Sequence, residues 1–222
     1  MKLASIFVAA LMTFALGAQA QTAGSWRIQA GFTKVTPDVT SGDLSAPAPG
    51  GTKSDVGADT QPTAQVTYML SDHLALALPL GLGFDHKIYG AGALDGVGQI
   101  GSVHVLPATV FLQYRFGEAT AQSRPYLMAG ASYVKFSDAQ GSAVLNALNP
   151  LNPVGGVTTL DVQSKFAMSI GLGLTVQLNK TWFADLAYSK MFLKNLTTLS
   201  TGQTQTMTLN PAAFSLSVGR NF

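Results

Sequence analysis

Asp85, His86, Asp95, Ser102 and His104 are the residues of this chain whose types suit bond-breaking chemistry. A carboxylate, an imidazole and a hydroxyl are the parts of a nucleophilic hydrolase, and some membrane-barrel proteases and acyltransferases use them near an extracellular rim. The accompanying signals are missing. No G-x-S-x-G elbow is present, and the three histidines include no pair at metal-ligand spacing. With no cysteine there is no thiolate nucleophile, disulfide scaffold or Cys-based metal site. Solvated loop and strand-end positions are the simpler account of all five residues, so no catalytic site, metal or cofactor is expected. Arg27, Arg115 and Asp185 form a second set, because they place charge in segments that are otherwise apolar or small.

Charge is scarce throughout. Only 11% of the 222 residues are charged and 47% are hydrophobic, with 23 glycines, whereas a typical soluble domain has about 25% charged residues. That excludes a disordered chain, and a net charge of +2 is too small for a nucleic-acid partner. Lys2, an apolar run over 3–16 and Ala18-Gln19-Ala20 predict a cleaved signal peptide over 1–20 and a mature domain over 21–222. A membrane anchor is the alternative, but the run is short for a span, which takes about 20 residues. The later charge-free windows, 139–160 and 195–219, are interrupted by Asn, Pro, Gly, Gln or Thr. If the apolar excess meets lipid, a closed barrel is the structure that can carry it.

Side chains alternate with a period of two. Leu74, Leu76, Leu78, Leu80, Leu82 and Phe84 alternate with Ala75, Ala77, Pro79, Gly81 and Gly83. The segment 166–178 and the end of the chain repeat the pattern, and weaker strands run over 26–36, 62–70, 104–116, 125–136 and 181–191. The expected fold is all-β: an eight-stranded antiparallel transmembrane barrel. Its connections at 71–73, 117–124 and 179–180 are short, and those at 37–60, 85–103, 137–160 and 192–208 are long. Short periplasmic turns and four long extracellular loops are the layout of a Gram-negative outer-membrane barrel. A soluble lipocalin-type barrel would bury its large residues and expose polar ones; here the face opposite the large residues is small. Trp26, Phe116 and Trp182 fall at the turn ends, and Phe32, Phe84 and Phe192 toward the long loops. They mark the two interfaces of a bilayer whose outer leaflet holds lipopolysaccharide. The chain ends on Phe222, the kind of terminus that outer-membrane assembly machinery recognises, although Arg220 stands where an aromatic residue is usual.

These motifs, in this order, resemble the outer membrane protein W family over essentially the whole mature chain. They are WRIQAG at 26–31 with Pro37, PTAQVTYM at 62–69, FDHKI at 84–88 and VHVLPATV at 103–110. QYRF at 113–116, RPYLMAG at 124–130, Trp182 and LNP at 209–211 follow. The family often has two prolines where this chain has only Pro107. The resemblance implies an eight-stranded barrel that admits small hydrophobic molecules; members are linked to uptake of alkanes and aromatics, to stress tolerance or to bacteriocin reception.

Eight strands enclose little more than their own inward side chains, so a passage needs small ones. Ala75, Ala77, Gly81, Gly83, Ala167, Gly171 and Gly173 supply them; alternatively, glycines ease curvature and bulkier neighbours fill the space. Met69, Phe111, Phe183 and Met191 share the inward parity as an apolar lining, gate or plug. Pro79 and Pro107 cannot donate to the ladder and are candidates for a lateral opening into the bilayer. Arg27, Arg115 and Asp185 lie toward the periplasm, where Asp185 is expected to pair with an arginine and seal the bottom against ions. The expected function is passive uptake of a small hydrophobic ligand with lateral release. The alternative is a structural or receptor barrel with a filled interior.

Overall fold

The computed structural model describes residues 21–148, 151 and 156–222; the expected signal peptide lies outside them. In chain order the strands are Trp26–Thr36 (β1), Thr40–Ser41 (β2), Thr52–Val56 (β3), Asp59–Met69 (β4), Leu74–Gly81 (β5), Phe84–Gly92 (β6) and Gln99–Arg115 (β7). Ser123–Gly141 (β8), a short helix Ala143–Leu148 (α1), Leu160–Val162 (β9), Lys165–Gln177 (β10), Trp182–Phe192 (β11), Lys194–Leu199 (β12), Thr204–Thr208 (β13) and Ala212–Asn221 (β14) follow.

Strand-to-strand pairing closes a ring of eight: β1, β4, β5, β7, β8, β10, β11 and β14, all antiparallel to their neighbours. The start of β1 and the last residue meet on the short-turn side, where Trp26 N donates to Phe222 O (3.0 Å) and Phe222 N to Trp26 O (2.7 Å). The Arg220 guanidinium lies over the Phe222 ring at 5.1 Å. Large residues cover the outside: Leu74 to Leu80 at even positions, Phe166 to Leu174 at even positions, and Phe214, Leu216 and Val218 are all exposed. Trp26 packs on Tyr68 and Tyr114 on Phe116 at the turn end, while Tyr133 packs on Phe166 at the other. Apolar surface between two aromatic girdles is what a bilayer demands of a barrel.

Two expectations need correction. First, the four long connections are not loop throughout: each carries strand residues of its own or extends a wall strand. β6, the upper halves of β7 and β8, and β3 continue the wall, and a separate four-stranded sheet of β2, β13, β12 and β9 covers it. Ile88, Ile100, Val103 and Leu145 form the core beneath this cover. Ser142 Oγ accepts from Leu145 N at the start of α1, an N-cap. Pairs such as β3 with β6 and β2 with β13 join distant segments, and that is why local patterning did not reveal them. Second, 74–84 is not one strand. It breaks at Leu82-Gly83, where Gly83 takes φ = 98°, a conformation open to glycine. The break moves the register by one residue, so Phe84 turns inward and is buried instead of joining the outer girdle. One residue of slip reverses every side chain after it.

Candidate functional site

The interior has two parts. The upper part is a cavity of about 210 Å³. Phe84, Val103, Val105, Phe136 and Met191 give it an apolar wall. The facing wall is polar but self-satisfied: Gln29 donates to Ser217 (2.9 Å), and Thr33 shares hydrogen bonds with Thr63 and Ser215. A smaller space of about 40 Å³ lies within the cover and shares Ile88 and Met207 with the main cavity.

The lower part is filled. Tyr126 donates to Asp185 Oδ1 (2.8 Å), and Thr175 donates to Asp185 Oδ2 (2.5 Å). Arg27 and Arg115 each donate to Thr175 Oγ1, and Arg115 also donates to Gln113 (2.7 Å) and Gln21 (3.1 Å). Arg27 covers the Phe183 ring at 3.9 Å. The expected direct pairing of Asp185 with an arginine is therefore corrected: the Thr175 hydroxyl stands between them. Thr175 accepts from both guanidiniums and donates its own hydroxyl hydrogen bond to the carboxylate. Burying these charges is tolerable only because their hydrogen bonds are met.

The candidate positions divide along this line. Phe111, Met191, Gly81, Gly83, Pro79 and Pro107 border the cavity. Met69 and Phe183 do not line it and are fully buried lower down, as are Ala75 and Ala77. Gly171 and Gly173 leave no passage, because a Cβ at Gly171 would meet Met128 and one at Gly173 would overlap the Tyr126 ring. Ala167 packs with Val134 and Leu193. The small residues of β10 are sockets for large side chains on β8. Gly173→Ala is accordingly expected to destabilise the barrel by about 1–3 kcal/mol through overpacking. Urea unfolding in lipid vesicles checks this, and an unchanged midpoint would show that the Tyr126 ring moves aside freely.

The wall has one seam. β5 pairs with β7 from Leu74↔Tyr114 to Ala77↔Phe111, and pairing resumes only at Phe84↔Val105 on β6. Between these points 78–83 faces 106–110 without ladder pairs, and both Pro79 and Pro107 lie in that stretch. Leu80 and Leu106 are 45% and 38% exposed on the outer surface, yet both also border the cavity. The seam residues thus stand between the cavity and the outer surface.

Comparison with known proteins agrees with this architecture. A family model described as the OmpW family matches residues 22–222. The chain belongs to the OmpW family. Outer membrane protein W of Escherichia coli (strain K12) is 29% identical over the whole of both chains. The dibenzothiophene metabolism operon protein DoxH of Pseudomonas sp. (strain C18) is 23% identical over 89% of this chain and 88% of its own. Among solved structures, OprG of Pseudomonas aeruginosa superposes with a TM-score of 0.80 at 25% identity, over 91% of this chain and 98% of that one. This OmpW-family chain is an outer-membrane barrel of a Gram-negative cell, in contact with the lipid bilayer.

The five residues suited to hydrolytic chemistry do not converge. Asp85 and His104 meet at 2.7 Å on the outer surface, while Ser102 lies opposite Lys87 and Gln140 in the ladder. Asp95 sits in the turn after β6. Among the described residues no three His, Asp or Glu side chains form a metal-binding group. His86, taken from sequence as a solvated residue, is instead buried and borders the cavity. Its alternation with Asp85 and Lys87 is the signal that identifies β6 as wall. Those outward charges also place β6 above the lipid-facing belt.

Burial pushes the His86 imidazole below its ordinary value, opposed by its 2.8 Å contact with Gly57 O and by the carboxylates of Asp59 and Asp85. A depressed value means that the fold favours the neutral ring. That contribution is complete above the ordinary pKa of about 6.5 and is lost as pH falls through the folded value. Acidification to below the depressed value is therefore expected to charge the cavity wall and reduce uptake of an apolar probe in vesicles. His86→Gln should flatten that dependence; the same slope in the variant would assign it to another group.

Proposed function

We propose that this OmpW-family barrel is a passive channel for small hydrophobic molecules, which enter through the extracellular cover, occupy the upper cavity and leave sideways into the bilayer. The single observation that carries the reading is the seam: an apolar cavity, closed below by a filled polar floor, is bordered by the stretch where 78–83 and 106–110 do not pair with each other. A ligand of low polarity would gain by leaving into hydrocarbon instead of crossing Arg27, Arg115 and Asp185. Pro79 and Pro107 withhold ladder donors from the seam, which lowers the cost of parting the strands. The relative from a dibenzothiophene metabolism operon supports an apolar aromatic compound as ligand. Phe222, paired to Trp26 at the closure of the barrel, serves the assembly machinery, and the upper girdle meets lipopolysaccharide.

The test is uptake of an alkane or a small aromatic by a host limited by its outer membrane, with and without the protein. Faster uptake with the protein is expected. Equal uptake would favour a structural or receptor barrel, and hydrolase activity of the purified barrel would revive an enzymatic role.

A further inference from the structure

Gln21 is fully buried although it stands at the start of the described chain. Its side-chain carbonyl accepts from Arg115 Nε (3.1 Å) and its main-chain carbonyl from Arg124 Nη1 (3.4 Å). Arg124 also donates to the carbonyls of Asp72 (2.6 Å) and Gly117 (3.1 Å), which ties this point to two periplasmic turns. One half of the Gln21 amide is thus well used. The other is not, because Nε2 is buried with no hydrogen-bond partner, and an orphaned buried donor is destabilising.

Cleavage after Ala20 would make Gln21 the first residue and give it an α-amino group. A protonated amine there would be a third cation beside the Arg115 and Arg124 guanidiniums, and like charges favour the neutral, nucleophilic form.

We propose that Gln21, once released as the amino terminus, cyclises to pyroglutamate and remains seated against Arg115 and Arg124 as the stopper of the periplasmic mouth. The amine lone pair attacks Cδ, a new N–Cδ amide bond closes the lactam and the Cδ–Nε2 bond breaks. Nε2 leaves as ammonia, carrying a proton from the attacking amine; nothing is oxidised or reduced. The product keeps the carbonyl that Arg115 uses, discards the orphaned NH2 and carries no terminal charge into an already cationic mouth. Because the step is intramolecular, burial does not prevent it.

The inference rests on the reading of 1–20 as a cleaved leader. Mass spectrometry of the barrel from freshly isolated outer membranes tests both. The expected mass is that of 21–222 less one ammonia, with an amino terminus refractory to amine-directed labelling. A mass of 21–222 with a labelled Gln21 would overturn cyclisation and leave the leader intact as a reading; a terminus at any other residue would overturn both. For the stopper, Gln21→Ala should fold normally and show raised ion conductance in planar bilayers. Conductance equal to that of the unaltered barrel would overturn that role.

Discussion

Uptake through Leu80→Cys/Ala108→Cys is expected to fall to the level of cells lacking the protein once the two thiols are joined by a short bifunctional reagent. Both positions face outward in the seam, and the pairing that ends at Ala77↔Phe111 would place them opposite one another if it continued. A covalent strap on this outer face blocks parting of the strands. The chain has no other thiol to compete. The unbridged double variant should transport as the parent does, and cleaving a reducible bridge should restore the rate. Full uptake through the bridged barrel would rule out lateral exit at this seam and require a path through the floor.

Removal of Asp185 is expected to have the largest effect on stability. Its two oxygens accept from Tyr126 and Thr175, and Thr175 in turn receives Arg27 and Arg115. Asp185→Asn keeps the shape but leaves two buried guanidiniums facing a neutral amide. Breaking a buried charge arrangement by deleting one partner costs about 3–5 kcal/mol, read as an earlier unfolding midpoint in lipid vesicles. Asp185→Ala should in addition open space beside Thr175 and raise ion conductance in planar bilayers. Unchanged stability in the first variant and unchanged conductance in the second would show that Thr175 and Tyr126 close the floor without the carboxylate.

Much of the wall was legible in one dimension. The alternations 74–82 and 166–178 identify lipid-facing strands because every second side chain shares a face, and lipid accepts only apolar ones. Pro79 and Pro107 stood out as ladder defects on chemistry alone. Their meeting in one seam was not legible, since it depends on the register between β5 and β7 and on the slip at Gly83. Tyr126 and Met128 were missed as fillers of the lumen, because the sequence left open whether the space beside Gly171 and Gly173 is empty or filled until their neighbours on β8 were known. A glycine in a narrow barrel makes room for whatever lies across the strand, and its own position does not say what that is. Thr175 gave no signal at all: a threonine acts as a bridge only when two arginines and an aspartate from three other strands converge on it.

The amino-acid sequence by itself determined the environment, the fold class and the side of each strand that meets lipid. Those follow from composition and a local period of two, and each residue contributes to them independently of its partners. The tertiary structure alone decided that the floor is full, that the cavity is confined to the upper half and that Pro79 and Pro107 share one stretch without ladder pairs. Each of these is a property of pairs distant in the chain, set by strand register and by cross-barrel packing, and no single segment encodes a distance to another.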